Sequence, residues 1–187
     1  VITQALTFVA TANAIKYNNA FPIFLDVDYD TMGLSPNAVS NFLEEYGELR
    51  EEGCFNKKTG RKISACVPMH TFGFPVKLDE LTKVCDKWKI SIVEDAAESL
   101  GSLYKKKPTG SFGKVAAFSF NGNKIVTSGG GGAITTNNIT IGERAKFLTT
   151  TAKQPHPYEY IHNELGYNFR MPNLNAALAC AQLEQLS

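Results

Sequence analysis

The chain has 187 residues and a net charge of +1, from nineteen Lys plus Arg against eighteen Asp plus Glu. A hydrophobic fraction of 43% and a charged fraction of 20% exclude a disordered segment. The charge balance excludes a nucleic-acid binder held by bulk electrostatics, and no apolar run approaches the roughly 18 residues of a membrane span.

Residues 1–10 carry neither the basic flank nor the cleavage site of a secretory signal. The chain opens on Val1, in what reads as a strand already in progress, so a piece of a longer protein is expected. Residues 22–27 (PIFLDV) form the first clear strand-like run. Ser35 then offers an N-cap with Pro36 at the first helical position, and Val39, Phe42, Leu43 and Tyr46 make one apolar helix face. Residues 47–62 differ: eight of the sixteen are charged, which predicts a solvated loop or insertion.

Further strand-like runs follow at 63–67, 90–93, 115–119 and 133–135. They are almost continuously apolar, the pattern of strands covered on both faces. Leu78, Leu81, Val84, Cys85 and Trp88 form a second helical stripe between them. Residues 149–172, with three prolines and four aromatics, predict a long irregular stretch of the functional or mobile kind. Asn173 is expected to cap a helix over 174–186 whose face carries Leu174, Ala177, Leu178 and Ala181. This order predicts an α/β fold, three-layer αβα with a mainly parallel central sheet. Cys54, Cys66, Cys85 and Cys180 have no metal or C-x-x-C spacing and read as buried free thiols of a reducing cytoplasm.

Open α/β sheets bind ligands beyond the carboxyl ends of their strands. Glu94-Asp95 follows the run 90–93, Phe120 to Lys124 follows 115–119, and Pro68-Met69-His70 follows 63–67. Lys124 is either a solvated turn residue or a desolvated amine able to form a Schiff base. Asp95 is either the cap of a helix starting at Ala96 or an acid held beside a cofactor cation. The run Gly129–Gly132 lacks a P-loop ending and precedes a strand. It is therefore a flexible turn or backbone passing close to a bulky ligand. Asp26, Asp28 and Asp30 open like a calcium loop, but Thr31 and Asn37 stand where Gly and Glu are needed. His70, His156 and His162 have no zinc spacing.

Lys124 and Asp95 lie inside longer strings. VEDAAESLGS (93–102), FSFNGNKIVTSGGGGAI (118–134) and GYNFRMPN (166–173) resemble the DegT/DnrJ/EryC1/StrS family. These are pyridoxal-phosphate-dependent nucleotide-sugar aminotransferases of the aspartate aminotransferase fold (fold type I). The likeness runs from ALTFVATANAI (5–15) to AQLEQL (181–186). SFNGNK and TTAKQPHP (150–157) look most like the LegC branch, which aminates 4-keto sugar nucleotides on routes to legionaminic acid.

By this resemblance Lys124 would hold pyridoxal phosphate covalently, Asp95 would pair with its pyridine nitrogen, and Ser119 would bind its phosphate. Phe8 matches the aromatic that stacks on the cofactor ring. Asn168 matches a residue that reaches the partner subunit's cofactor, which implies a homodimer. Arg170 would contact an anionic part of the substrate. Glu98 falls where many members have Gln or His near the phenolic side of the cofactor. The implied reaction moves an amino group from an amino acid, glutamate in the family, to a nucleotide sugar.

The resemblance also implies that an upstream phosphate-binding segment precedes Val1 and a smaller domain follows Ser187. Two other readings stay open at this point: a non-catalytic binder of the same ligands, and a sugar dehydratase on the same fold. Intact Lys124, Asp95 and Ser119 argue against the first, and Lys124 against the second.

Overall fold

Strand β1 (Ile2–Gln4) is buried at all three positions and lies inside the sheet. The computed structural model describes residues 1–186, and β1 is followed by helix α1 (Val9–Tyr17) and strand β2 (Ile23–Leu25). Helix α2 (Pro36–Tyr46) starts as its sequence dictates. Ser35 Oγ accepts from the Ala38 N–H at 3.3 Å, and Pro36 fills the first position, where no N–H is needed. Strands β3 (Gly47–Arg50) and β4 (Gly53–Asn56) form an antiparallel hairpin. The chain continues through β5 (Ala65–Val67), a 3-10 turn over Thr71–Gly73, α3 (Leu78–Lys87) and β6 (Ser91–Asp95). A small hairpin, β7 (Leu103–Tyr104) with β8 (Lys107–Pro108), precedes β9 (Val115–Ser119) and β10 (Gly132–Thr135). Helices α4 (Ile139–Thr149) and α5 (Asn173–Leu183) follow.

The main sheet has the order β10-β9-β6-β5-β1-β2. All its pairings are parallel except β9–β10. The α/β expectation with a mainly parallel sheet holds. Register places Val93 beside Val115 and Asp95 beside Ala117, so β9 runs two residues past the end of β6, to Ser119. Alternation then sorts their residues. Cys66, Ile92, Glu94 and Ala116 are buried on the side where α2 and α3 pack, among Val39, Leu43, Leu78, Leu81 and Cys85. Val67, Val93, Asp95, Ala117 and Ser119 turn to the other side, toward α1.

Several expectations are corrected. Residues 47–62 are not simply a solvated loop, because β3 and β4 pair there and put Cys54 in the core at 0% exposure. All eight charged residues are exposed: Glu48 and Arg50 in β3, Glu51 and Glu52 in the turn, and the other four after β4. Asn173 is the first helical residue of α5 rather than its cap; Pro172 stands at the N-cap with no side-chain bond. Cys180 is exposed, because α5 lays little of its surface on the rest of the chain and buries Ala179. Strands β9 and β10 are not covered on both faces: Ala117 and Gly132 are exposed. The stretch 149–172 is irregular as expected, folded back through bridges Thr150–Asn168 and Lys153–His162. Among the described residues no helix is long and apolar enough to cross a membrane.

Candidate active site

A cavity of about 700 Å³ opens between α1 and the sheet, at the carboxyl ends of β5, β6 and β9. Phe8, Thr11, Asp95, Glu98, Ser119, Asn121, Asn123 and Lys124 all reach it. Five of the seven residues singled out from the sequence therefore meet in one place, drawn from segments more than a hundred residues apart. Asn168 and Arg170 do not. Asn168 bridges to Thr150, and Arg170 lines a separate groove beside β10 and α4.

Lys124 sits in the turn that follows β9, where its N–H donates to Asn121 O at 3.1 Å. Its side chain is only 14% exposed, and Nζ lies 3.4 Å from Glu98 Oε1. The desolvated setting, not the solvated turn, is the one observed. Glu98 is held from its other oxygen, which accepts the Phe72 N–H at 2.9 Å. Phe72 adopts φ +52°, a left-handed conformation uncommon for an aromatic residue. Gly73 beside it has φ +85°, and a Cβ there would lie 2.9 Å from Glu98 O. The turn is thus fitted closely around Glu98.

Asp95 caps no helix, since a turn follows it. Its Oδ1 accepts from the Ala97 N–H at 3.2 Å and its Oδ2 from the Thr11 hydroxyl at 2.6 Å. Ser119 ends β9 with its hydroxyl on the cavity, accepting from the Asn121 N–H at 3.3 Å. Phe8 precedes α1 in extended conformation, 70% exposed and at the cavity mouth.

The neighbouring residue Glu94 does a different job. It faces the core at 0% exposure, where its carboxylate accepts from the N–H groups of Gly110, Phe112 and Gly113 at 2.6–2.8 Å. His70 accepts the Val76 N–H at Nδ1, so its proton is on Nε2, which meets Glu94 Oε2 at 3.1 Å. Burial pushes the Glu94 carboxyl up, but His70 and the three amides outweigh it and hold the group below the usual carboxylate range. Glu94 and His70 thereby brace the β6 end from which Asp95 projects.

The glycine run does not approach the cavity. Gly129 and Gly131 take φ +77° and +96° in the turn into β10, and a Cβ on Gly132 would meet Phe118 O at 2.3 Å. Gly129, Gly131 and Gly132 serve the turn and the close strand pairing, and Gly131 and Gly132 also line the groove beside Arg170. Thr11, Asn121 and Asn123 escaped the sequence reading. Asn121 and Asn123 were within reach of it, since they flank the lysine turn. Thr11 carried no such signal.

The sequence profile of the DegT/DnrJ/EryC1/StrS aminotransferases matches residues 1–187. The chain belongs to this aminotransferase family. It is 42% identical over 186 residues to EpsN of Bacillus subtilis (strain 168), named as a pyridoxal phosphate-dependent aminotransferase, covering 100% of this chain and 45% of that protein. It is 36% identical to the GDP-perosamine synthase of Escherichia coli O157:H7, covering 99% of this chain and 46% of that one. Among solved structures it is similar to Helicobacter pylori PseC, an aminotransferase involved in pseudoaminic acid biosynthesis. The TM-score is 0.84 at 28% identity, covering 99% of this chain and 46% of that one. The chain thus spans about half the length of the relatives it matches.

The fold is that of the family's pyridoxal-phosphate enzymes, fold type I. Pyridoxal phosphate is the family's cofactor, and the donor set of the cavity fits it. A carboxylate, an enclosed primary amine, a strand-end hydroxyl and an aromatic ring are the groups that a phosphorylated, protonated pyridine aldehyde calls for.

Proposed function

We propose that the protein carrying this chain is a nucleotide-sugar aminotransferase. In this reading it uses pyridoxal phosphate to move an amino group from an amino acid, glutamate, to a 4-keto sugar nucleotide. The observation that carries the reading is the convergence of Lys124 and Asp95 on one cavity at the carboxyl ends of parallel strands. The GDP-perosamine synthase and PseC likenesses support a sugar-nucleotide acceptor. The strings SFNGNK and TTAKQPHP support the legionaminic acid branch. The chain forms most of the large domain, with an upstream phosphate-binding segment and a smaller domain contributed from outside 1–187. Burial of Cys54, Cys66 and Cys85 as free thiols suits a cytoplasmic enzyme.

When bound, pyridoxal phosphate supplies the electron sink that lets a proton leave the carbon bearing the amino group. The chain's own residues do the rest. Asp95 presents a carboxylate oxygen to the ring N–H and stabilises its positive charge. Ser119 Oγ donates to a phosphate oxygen. Phe8 covers the ring face and excludes water. Lys124 Nζ would hold the cofactor and, when free, would be the amine placed to accept and return a proton. Glu98, 3.4 Å from Nζ, would lie near the phenolic side of the cofactor. Asn168 and Arg170, away from this cavity, serve the partner subunit's site in a homodimer. Asn168 reaches the cofactor phosphate there and Arg170 an anionic group of the sugar nucleotide.

Borohydride reduction of the full-length protein with pyridoxal phosphate, followed by peptide mass mapping, tests this. A phosphopyridoxyl group on Lys124 is expected. A folded protein with no adduct, or an adduct on another lysine, overturns the assignment.

A further inference from the structure

Thr11 is 7% exposed, on the first turn of α1. A threonine in a helix can bond its hydroxyl to a carbonyl three or four residues back. Thr11 instead sends it to Asp95 Oδ2 at 2.6 Å, across 84 residues of sequence. An ionised carboxylate only accepts, so the single Thr11 proton is committed there. The 3.0 Å contact between the Thr7 and Thr11 hydroxyls then has Thr7 as donor. Thr7 also donates toward Met69 Sδ at 3.3 Å, so its one proton is shared between these two acceptors. Neither contact competes for the Thr11 proton, which goes to Asp95.

This arrangement grips the Asp95 carboxylate from two sides. The Ala97 N–H fixes Oδ1 from the turn after β6, and Thr11 fixes Oδ2 from α1. Both carboxylate oxygens are held before any ligand arrives, and Asp95 lines the cavity. We propose that Thr11 is a positioning residue of the reaction: its hydroxyl holds the Asp95 carboxylate in the orientation that receives the cofactor's ring nitrogen. The inference rests on the pyridoxal-phosphate reading given above. It assigns to α1 a role beyond carrying Phe8.

The test compares Thr11→Val, which keeps the shape and loses the hydroxyl, with Thr11→Ser, which keeps the hydroxyl. Both are made in the full-length protein loaded with pyridoxal phosphate. Loss of a hydrogen bond to a charged group is expected to lower kcat for the amino-donor half-reaction roughly 10- to 100-fold in Thr11→Val, with donor KM nearly unchanged. The visible circular dichroism of the bound cofactor should weaken, because the ring is held less firmly. Thr11→Ser should restore both to within about threefold. Thermal melting without cofactor should be similar in the two variants.

Unchanged kcat and dichroism in Thr11→Val overturn the inference. So does a Thr11→Ser variant that folds and is as impaired as Thr11→Val, since methyl packing would then be what matters. Should Thr11→Val not fold, Thr11→Ser against Thr11→Ala makes the same comparison. Borohydride trapping separates the two levels. No Lys124 adduct in the unsubstituted protein sinks the cofactor reading itself. A normal adduct with an indifferent Thr11→Val sinks only the role of Thr11.

Discussion

The two faces of the central sheet are made from alternate residues of the same strands, yet they are opposite in character. Cys66, Ile92 and Glu94 face α2 and α3 in a closed core, where even the charged member has all its partners supplied by the protein. Val67, Asp95 and Ser119 face α1 across a cavity, with polar groups left available. Glu94 and Asp95 show the difference at single-residue resolution. One carboxylate is saturated by three amides and a histidine, and the other is anchored at both oxygens but still open to the cavity. The closed face stiffens the strand ends on which the open face depends.

The largest effect should come from the open face. Lys124→Ala is expected to lower aminotransfer by about 10³-fold or more, the scale of a lost acid–base group, while thermal melting without cofactor stays close to that of the unsubstituted protein. A steady-state assay and a melting curve check both halves. Glu94→Ala should do the reverse. Leaving His70 and three amides buried without their partner costs about 3–5 kcal/mol of stability by denaturant titration.

The same group sets a pH dependence. The folded Glu94 carboxyl lies below its unfolded value, so its stabilisation is present above the unfolded value of about 4.5 and is lost as pH falls through the folded one. Glu94→Gln should therefore flatten the acid limb of the stability curve.

Leu43→Ala, a cavity in the closed face, should cost about 2–5 kcal/mol and leave cofactor affinity unchanged. A parallel loss of affinity would show that the two faces are not separable. Ser119→Ala should raise the dissociation constant for pyridoxal phosphate about 10-fold without altering the melting temperature, as read by absorbance titration. The mildest test uses thiol labelling. Cys180 should react quickly in the native chain. Cys66 should not, because the Cys85 thiol beside it and its burial push its thiol well up.

Much of this was legible before folding. The strand at 115–119 is observed with those bounds, and the helix beginning at Pro36 keeps its predicted cap. The stripe from Leu78 to Cys85 supplies three buried core residues. Other elements left a weaker trace. The β7–β8 hairpin turns through Lys105 and Lys106, both at positive φ, without the Asn-Gly pair that would announce it. Helix α4 has an Asn138 cap bonding the Ile141 N–H at 3.1 Å and a short stripe of Ile141, Ala145 and Leu148, but none of its residues is buried. Helix α1 begins at Phe8 with no capping side chain at all.

The sequence by itself determined the alternating α/β order, the strings of an aminotransferase family, and the residue types able to do the chemistry. These are local properties, written in periodicity, capping and spacing. Only the tertiary structure decided which of those residues share a cavity, because that depends on parallel pairing between strands far apart in the chain. It also decided that Glu94 belongs to the core and Asp95 to the cavity. It decided that the glycine run serves a turn and that Thr11 reaches Asp95. Each follows from side chains alternating across a sheet whose two faces meet different neighbours.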